Sequence, residues 1–378
     1  MLEARILQLT GNRDGFYRLL WDRLNEEVAH FSVFHFNDRS LGPVQAGEAF
    51  DRDYIYACLP FEKRDRLFFF RKEAKVYRAL LTHEAGQQWD LLHAHTLFSD
   101  GYLAYRYKKD FAVPYVVAVR STDLFFFRYR FYLRGLGRKI LQNASAVVFL
   151  SPTQRDFLAD NFLTGAAREA LLAKARIIPN GIAPLFLAPW SGTEERPDPK
   201  KDLRILTVGH IEKNKNQLLV CQALALLEKA GYRVHYFLAG ARRDEAYSRA
   251  VLAYPFATHL GRLSQEALLP YYRSAHAFVL PSHRETFGLV YAEALSQACP
   301  VLYTRGQGFD GQFPEGQVGY AVDDHSPEDL AEKLLRLLEP DPGRSKRLRK
   351  AAERFDWDRI SEKYQALYGT LLARSEGR

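Results

Sequence analysis

The amino-acid sequence predicts an α/β protein of two doubly wound domains, each with a parallel sheet that carries helices on both faces. Short apolar runs alternate with longer amphipathic stretches along most of the 378 residues, as expected of strands joined by crossover helices. The alternation stops at residues 184–202, where prolines and charges accumulate, and then begins again. The length also fits two domains at roughly 150 residues each.

The first domain is predicted at residues 1–184. Its expected strands are 4–9, 31–36, 54–58, 91–95, 115–119 and 146–150, and its expected helices include 16–28, 67–85, 100–111 and 132–142.

The second domain is predicted at residues 203–355, and residues 356–378 contain one more amphipathic helix. The expected strands are 203–208, 233–238, 277–280 and 300–303, and the expected helices are 217–229, 264–271, 287–297 and 327–338. Two doubly wound halves imply a cleft between them, and such sheets bind ligands at the carboxyl ends of their strands.

The composition excludes several classes of protein. Apolar residues make up 47% and charged residues 26%, which is near the globular average and unlike a disordered chain, a collagen or a coiled coil. The net charge of +8 fits a nucleotide-handling enzyme, a nucleic-acid binder or a protein on an acidic membrane, and selects none of them.

The cysteines and the N-terminal sequence point to the cytosol. Cys58, Cys221 and Cys299 lie far apart and form no CxxC pair, so neither disulfides nor a structural zinc is expected. Residues 1–9 have an acidic third residue and a short apolar run, which predicts a first strand rather than a signal peptide. No apolar run approaches the roughly 18 residues needed to span a bilayer.

The segment 280–295 combines two glutamates with the start of a helix. Glu285 lies in the turn after a strand, and Glu293 lies in the second turn of the helix. The unpaired amides at Gly288, Leu289 and Val290 would bind phosphate, while carboxylate oxygens suit the paired hydroxyls of a sugar or ribose. The alternative is an acidic cap and a surface glutamate on an ordinary helix.

A second segment, 206–216, runs from a strand through a glycine turn and a basic loop to a helix. Gly209 permits a tight turn beside a ligand, and Lys215 could reach a diphosphate as a point charge. The alternative is a solvated loop, since lysines are common on protein surfaces.

Together these segments resemble the retaining GT-B glycosyltransferases of family 4, which have two Rossmann-like domains facing a cleft. The resemblance is strong over 205–305 and extends to Asn180-Gly181 before the linker, to His93-Ala94-His95 with the following Asp100, and to the last helix. It implies that the last helix crosses back to the first domain.

The resemblance also implies roles for individual residues. Lys215 would bind the donor diphosphate, Glu285 would face the donor sugar, and Glu293 would bind the ribose hydroxyls. The remaining implied donor-site residues are Gly209 and His210, the base-side residues Gly261, Arg262 and Leu263, and the helix-start residues Phe287, Gly288, Leu289 and Val290. The expected acceptor-side residues are Gly11, Gly15, His93, His95 and Asp123. No metal and no cofactor are implied.

Two positions depart from the family pattern. His210 stands where an arginine is usual, and a neutral histidine offers one donor where arginine offers five. Arg120 stands in a turn where the family often has a histidine, and we count it with Lys215 and Glu285 as a candidate catalytic residue. It would be a permanent cation near an anionic sugar or acceptor, or it would pair structurally with Asp123.

Two other motifs carry weaker hypotheses. Residues 306–311 form a literal GxGxxG, but a dinucleotide fingerprint must open a helix, and the following Pro314 and Gly316 predict a loop near the donor sugar. His93 and His95 share one face of a strand, but a metal would need a third ligand, for which Asp100 is the near candidate. Contact with a substrate and a structural role both remain open for these histidines.

Residues 68–72 and 125–130 combine aromatic side chains with cations. They are interpreted as core aromatics with snorkelling arginines, as a membrane-surface patch beside a lipid-linked acceptor, or, least favourably, as a stacking surface for nucleic acid.

The sequence thus predicts a cytoplasmic, metal-independent transferase, with possible peripheral contact at the inner face of the membrane. It would move a sugar from a nucleoside diphosphate donor, with UDP favoured, to the hydroxyl of a sugar or lipid-linked acceptor in polysaccharide or glycolipid synthesis. The alternatives are a catalytically degenerate binding protein, and a GT-B enzyme of another reaction such as an epimerase or a phosphorylase.

Overall fold

A computed structural model describes residues 2–11, 17–41, 52–189 and 196–376. The chain forms two compact units. Unit 1 comprises Met1–Leu150, Gln154–Ile178 and Trp357–Arg378, and unit 2 comprises Ser151–Thr153 and Pro179–Asp356.

Unit 1 is built on a seven-stranded parallel sheet. Its strands are β1 (Leu2–Thr10), β2 (Val28–Asp38), β3 (Ile55–Phe61), β4 (Leu91–Ala94), β5 (Tyr115–Val119), β6 (Ala146–Phe149) and β7 (Ala175–Ile177). The helices along this part of the chain are α1 (Arg18–Glu27), α2 (Phe69–His83), α3 (Ser99–Phe111), α4 (Ser121–Tyr129), α5 (Arg134–Asn143), α6 (Pro152–Phe162) and α7 (Gly165–Lys174).

Unit 2 is built on a six-stranded parallel sheet. Its strands are β8 (Leu203–Val208), β9 (Val234–Ala239), β10 (Ala257–Gly261), β11 (Ala277–Leu280), β12 (Val301–Thr304) and β13 (Gly319–Val322). Its helices are α8 (Pro184–Leu187), α9 (Gln217–Lys229), α10 (Glu245–Leu252), α11 (Gln265–Ser274), α12 (Leu289–Ser296), α13 (Pro327–Leu338) and α14 (Arg344–Ala352). Short 3-10 helices cover Arg39–Leu41, Lys63–Leu67, Phe131–Leu133, Lys213–Lys215 and Glu353–Phe355 along the chain.

Both sheets reverse their strand order at an interior pair of strands. The order is β3-β2-β1-β4-β5-β6-β7 in unit 1 and β10-β9-β8-β11-β12-β13 in unit 2. The chain therefore builds each sheet outward from one strand, first to one side and then to the other. The switch points lie between β1 and β4 and between β8 and β11, where doubly wound sheets bind their ligands.

Each face of the unit 1 sheet packs against its own apolar layer. Along β5, Val117 and Val119 join one hydrophobic cluster, while Val116 and Ala118 join the other. This alternation follows from the two-residue period of a strand, and it leaves the central strands buried on both faces, as parallel sheets require.

The last helix, α15 (Trp357–Glu376), completes one of these layers. Its buried residues Ile360, Tyr364 and Tyr368 pack in the cluster that contains Val116. The Tyr368 hydroxyl bonds His93 Nδ1 at 2.7 Å inside the unit. The prediction that the last helix returns to the first domain is confirmed.

Three strands were not expected from the sequence, namely β7, β10 and β13. All three lie at sheet edges, where one side of the strand lacks a neighbour and the residues need not be uniformly apolar. β10 reads Ala-Thr-His-Leu-Gly, for example, and is only half-buried. The stretch 184–202, expected to be a linker, begins with the helix α8, whose proline at the first helical position suits a helix start.

Replacing Tyr368 with alanine should lower the free energy of unfolding by about 3–5 kcal/mol, the usual cost of removing a buried aromatic ring. The change also removes the partner of His93 Nδ1. Urea unfolding followed by fluorescence measures the loss. Glu362→Ala, on the exposed face of the same helix, should change stability by less than about 0.5 kcal/mol, and equal effects of the two variants would contradict this account of the packing.

Candidate functional sites

The switch point of unit 2 brings Lys215 and Glu285 together. Lys215 follows β8 and Glu285 follows β11, the two adjacent strands at which the order reverses. Their side chains form an ion pair with 2.7 Å between Nζ and Oε2, and they are only 18% and 12% exposed. The two residues that the sequence selected in separate segments are thus direct partners.

Glycines end the strands around Lys215. Gly209 has a φ of 151°, and a Cβ there would contact the Lys215 side chain at 3.7 Å from Cε. Gly240, at the end of β9, has a φ of 148°, and a Cβ there would collide with the Gly209 carbonyl. The backbone at the carboxyl ends of β8 and β9 is therefore closely packed, which keeps side chains out of the space beside Lys215. Lys215 itself lies in a 3-10 turn, and α9 begins two residues later.

Hydrogen bonds hold the Glu285 turn from both sides. The Thr286 amide donates to Glu285 Oε1 at 3.0 Å, and the Glu285 amide donates to Gln307 Oε1 at 3.1 Å. Gly308 packs so closely that a Cβ would collide with the Thr286 carbonyl. The GxGxxG segment is therefore a loop, as expected, and it braces the Glu285 turn. Sequence reasoning missed Gln307 as the residue that makes this contact.

The helix after Glu285 begins at Leu289, two residues later than the sequence predicted. Gly288 takes the N-cap position with a φ of 73°, in the left-handed region that favours glycine. Phe287 is buried, whereas Leu289 and Val290 are half-buried. The first-turn amides of a helix lack intrahelical acceptors and carry the positive end of its dipole, which suits an anion.

Glu293 is 9% exposed, and one of its oxygens accepts a hydrogen bond from the Tyr272 hydroxyl at 2.9 Å. Burial raises the pKa of Glu293 to about 7, and the Tyr272 bond opposes that rise. Sequence reasoning missed Tyr272, which lies 21 residues earlier on α11.

The remaining expected donor residues lie at the ends of β8 and β10. Gly261 has a φ of 73° and its carbonyl accepts from the Gly240 amide at 2.7 Å, while Arg262 is exposed and Leu263 is half-buried. His210 is half-buried, and its pKa is lowered by burial first and then by Arg243. Since a lowered pKa leaves the imidazole neutral near pH 7, His210 does not replace the permanent charge of an arginine.

The switch point of unit 1 opens into a cavity of about 310 Å³. It is lined by residues at the carboxyl ends of β1, β2 and β3, by residues that follow β1, β4 and β5, and by residues of α2, of α3 and of the 3-10 turn before α2. The lining comprises Thr10, Gly11, Tyr17, Phe36, Asn37, Phe61, Arg66, Lys72, His95, Thr96, Ser99, Asp100 and Arg120. Three of these residues are cationic, and sequence reasoning had selected only Arg120 among them.

Arg120 is 7% exposed, and Asp123 binds backbone amides rather than the guanidinium. Asp123 accepts from the amides of Arg120 at 2.8 Å and Leu97 at 3.1 Å, and so it caps the start of α4. The Arg120 side chain donates through Nε to the His95 carbonyl at 3.1 Å and lies 5.5 Å from the Tyr17 ring centroid. The structural pairing of Arg120 with Asp123 is therefore a pairing through its backbone amide.

The structure separates the other expected acceptor-side residues. Gly11 and His95 line the cavity, whereas His93 is fully buried, does not line it, and bonds Tyr368 on α15. His95 Nε2 bonds Gln8 Oε1 at 2.9 Å. Burial lowers the pKa of His93 to about 3, which makes it a neutral packing group. Gly15 lies outside the described residues.

The histidine pair does not form a metal cluster with Asp100. Among the described residues, ligand atoms lie within 4.8 Å of one another at a different group, His283, Asp324 and His325. His283 Nδ1 lies 2.6 Å from Asp324 Oδ2. These residues are 41 and 42 positions apart, so their spacing in sequence did not signal the group.

The two aromatic segments are partly buried and partly exposed. Phe69 and Phe127 belong to the core, whereas the exposed aromatic residues of the two segments are Phe68, Phe70, Phe125 and Tyr129. The interpretation as core aromatics is therefore wrong for most of these side chains. No described helix is both long and apolar enough to cross a bilayer.

Both halves of the chain match models of glycosyltransferase families. Residues 193–355 match "Glycosyl transferases group 1", and residues 41–184 match "Glycosyltransferase Family 4". A D-inositol 3-phosphate glycosyltransferase of Salinispora tropica is 26% identical over 81% of this chain and 68% of its own length. A similarly named protein of Thermomonospora curvata is 33% identical over 47% of this chain and 46% of its own length.

Another relative is the capsular polysaccharide biosynthesis glycosyltransferase CapM of Staphylococcus aureus, 27% identical over 45% of this chain and 47% of its own length. The chain thus spans about half the length of CapM and of the Thermomonospora protein.

Solved structures share the fold over nearly the whole chain. Sucrose-phosphate synthase of Thermosynechococcus elongatus has a TM-score of 0.73 at 20% identity, and the match covers 98% of this chain and all of that one. Anabaena HepE in complex with UDP has a TM-score of 0.73 at 15% identity, covering 97% of this chain and 100% of that one. These two proteins share the two-unit α/β fold of this chain.

Proposed function

Because this chain belongs to glycosyltransferase family 4, we propose that it transfers a sugar, with retention, from a nucleoside diphosphate sugar to an acceptor hydroxyl. UDP is the favoured nucleotide, and solved neighbours with this fold hold UDP and glucose. We propose that the reaction needs neither a metal nor a cofactor.

The Lys215–Glu285 pair at the unit 2 switch point carries this proposal. Lys215, which is 18% exposed, supplies one positive charge at this site. The N-terminus of α12 supplies a second positive potential through the helix dipole. A diphosphate bound between Lys215 and the start of α12 would lose its hydrating water molecules. It would instead accept hydrogen bonds from Lys215 and from the amides of Gly288, Leu289 and Val290. Glu285 would then be available to the hydroxyls of the donor sugar, and Glu293 to those of the ribose.

In this mechanism the bond between the anomeric carbon and the diphosphate oxygen breaks, and the acceptor oxygen bonds that carbon on the same face. The acceptor proton passes to the departing phosphate oxygen, so no protein nucleophile is needed. Lys215 and the helix amides stabilise the charge that develops on the leaving group, and preorganised groups of this kind supply most of the rate. His210 contributes less, because it is neutral.

Lys215→Ala should reduce kcat by about 100- to 1000-fold, or about 2–4 kcal/mol, the usual cost of removing one preorganised stabilising group. The assay is a nucleotide-release screen over UDP-, GDP- and ADP-sugars with an acceptor panel, in the presence of EDTA. Glu285→Gln, which is isosteric, should lose comparable activity.

Undiminished turnover in Lys215→Ala would contradict the assignment. Nucleotide binding without acceptor-dependent release would favour a binding protein, and isomerised free donor would indicate an epimerase. Loss of wild-type activity in EDTA would contradict metal independence. His325→Ala, which removes the exposed member of the His283 group, would then show whether that group holds the metal.

The pH dependence of UDP binding should report Glu293. Because burial places its pKa near 7, the carboxylate forms as pH rises through 7, and UDP affinity should increase with it. Tyr272→Phe removes the hydrogen bond that favours the carboxylate, so the midpoint should move to higher pH by about one unit. Calorimetric titrations from pH 5.5 to 8.5 measure the shift, with Glu293→Gln as the control that lacks it. An unchanged midpoint in Tyr272→Phe would remove Glu293 from the nucleotide site.

We also propose that the enzyme acts in the cytoplasm, at the inner face of the membrane, in the synthesis of a cell-surface polysaccharide or glycolipid. The name of the CapM relative supports this pathway. The contact surface would be the exposed aromatic–cation surface of α4 and the following turn, which comprises Phe125, Arg128, Tyr129, Phe131 and Tyr132. Exposed aromatic rings beside cations suit the interface of an anionic bilayer.

The protein should sediment with vesicles that contain anionic lipid and less with purely zwitterionic ones. Phe131→Ser removes the ring that is 75% exposed and should weaken binding about tenfold or more, given the transfer energy of a phenylalanine side chain. Leu335→Ser, an exposed apolar residue of unit 2, is the matched control. Equal binding by the two variants would refute this surface.

A further inference from the structure

The unit 1 cavity contains a buried cation whose hydrogen-bonding capacity is only partly used. Only 7% of the surface of Arg120 is exposed. Among the residues that the structure describes, Nη1 and Nη2 of Arg120 make no hydrogen bond of normal geometry. Unpaired buried donors on a charged group are costly, so a ligand that satisfies them would bind with a clear gain.

The way Arg120 is held leaves one edge of its guanidinium for such a ligand. Nε is used by the His95 carbonyl, and one face lies over the Tyr17 ring. The hydroxyl of Tyr364 also lies beside the guanidinium. The two terminal nitrogens form the planar pair of donors that matches two oxygens of a phosphate or carboxylate.

Two more cations line the same cavity. Lys72 Nζ lies 2.7 Å from Glu73 Oε1 and 2.7 Å from the Ser99 hydroxyl, and an ammonium has three donors. Arg66 lies at a more exposed position and pairs with Asp38. The lining therefore offers positive charge from β5, α2 and the turn before α2.

The acidic group in the lining does not cancel this charge at neutral pH. Burial raises the pKa of Asp100 to about 8, and Glu73 and Asp123 raise it further, against the opposing effects of Thr96 and Lys72. Asp100 is therefore mostly protonated at pH 7, and its Oδ2, which has no partner among the described residues, is then a hydrogen-bond donor. Burial also raises the pKa of Glu73.

We propose that this cavity binds a phosphate monoester carried by the acceptor, with Arg120 as its bidentate ligand and Lys72 as a second cation. A phosphate is favoured over a carboxylate because Arg120 offers two terminal donors and Lys72 a third in one small space, which suits three oxygens and up to two negative charges. The assignment of the phosphate to the acceptor rests on the proposed transferase function. Arg120 would then select the acceptor rather than act in the chemical step.

Phosphate binding is first measured without any turnover. Inorganic phosphate is titrated into the full-length protein saturated with UDP, which occupies the unit 2 anion site, and again into Lys215→Ala. Both the UDP-saturated wild type and Lys215→Ala should bind phosphate, because the unit 1 cavity is intact in each. Arg120→Gln should bind it about 10- to 100-fold more weakly, the effect of losing charge-assisted hydrogen bonds, while its UDP affinity stays unchanged.

Arg120→Lys keeps the charge but loses the planar donor pair, so it should bind phosphate with intermediate affinity. Lys72 contacts Glu73 and Ser99. Lys72→Gln should also weaken phosphate binding and leave UDP binding intact. UDP affinity reports the folding of unit 2, and the circular dichroism spectrum reports the folding of the whole chain. A purely structural role for Arg120 would reduce phosphate binding together with the helical signal, whereas the proposal expects the loss of phosphate binding with an unchanged spectrum. Equal phosphate affinity in wild type, Arg120→Gln and Lys72→Gln would overturn the proposal.

The source of the phosphate is then assigned with matched acceptors. Glucose 6-phosphate is compared with glucose in solution, and vesicles of phosphatidylcholine with and without phosphatidic acid are compared for binding. If the wild type prefers glucose 6-phosphate over glucose and Arg120→Gln does not, the phosphate belongs to a sugar phosphate. If the wild type prefers vesicles with phosphatidic acid and Arg120→Gln does not, the phosphate belongs to a lipid-linked acceptor. If neither probe discriminates wild type from Arg120→Gln, the cavity does not select a phosphate. Failure of the nucleotide-release screen with intact phosphate binding would instead contradict only the transferase proposal.

Discussion

A doubly wound parallel sheet has one place where the chain, after building outward on one side, returns to build on the other. Connections in such sheets are right-handed, so the loops after the two strands at this place diverge and leave a crevice at their carboxyl ends. This chain contains two such places, between β1 and β4 and between β8 and β11. Both candidate sites lie there, and Lys215 and Glu285 are positioned by this constraint.

The two crevices differ in how their charge is arranged. In unit 2 the cation Lys215 is already paired with Glu285. The positive, N-terminal end of α12 follows the turn that contains Glu285. In the proposed complex the diphosphate replaces Glu285 as the partner of Lys215, so the lysine keeps a counter-charge, and Glu285 accepts hydrogen bonds from the donor-sugar hydroxyls instead. In unit 1 the cation Arg120 is held by a carbonyl and an aromatic ring, and its terminal nitrogens remain for a ligand. One site therefore holds its cation in an ion pair, whereas the other leaves two guanidinium nitrogens without a hydrogen-bond partner among the described residues.

The sequence was sufficient for the parts of the fold that depend on burial. Central strands are apolar on both faces and were predicted, whereas three of the four edge strands of the two described sheets, β7, β10 and β13, were not. Lys215 and Glu285 were predictable because each lies in the segment between a buried strand and the helix that follows it. Their direct ion pair was not, and neither was the Tyr272–Glu293 hydrogen bond, because such contacts depend on how the elements pack.

The unit 1 cavity shows the same limit more strongly. Arg120 follows a predicted strand and was selected, but Lys72 comes from a helix 48 positions earlier and had been seen only as part of an aromatic and cationic run. His93 and Asp123 were selected by their place in the resemblance. In the structure His93 bonds the last helix and Asp123 caps α4, because a match to a family pattern does not say which way a side chain points.

The central claim is that unit 2 binds the donor diphosphate at the crevice between β8 and β11. A crystal structure of the protein with bound UDP tests it most directly. We expect phosphate oxygens about 3 Å from Lys215 Nζ and from amides at the start of α12, the distance of a charge-assisted hydrogen bond. UDP bound elsewhere, with Lys215 still paired to Glu285 and no phosphate beside α12, would contradict it.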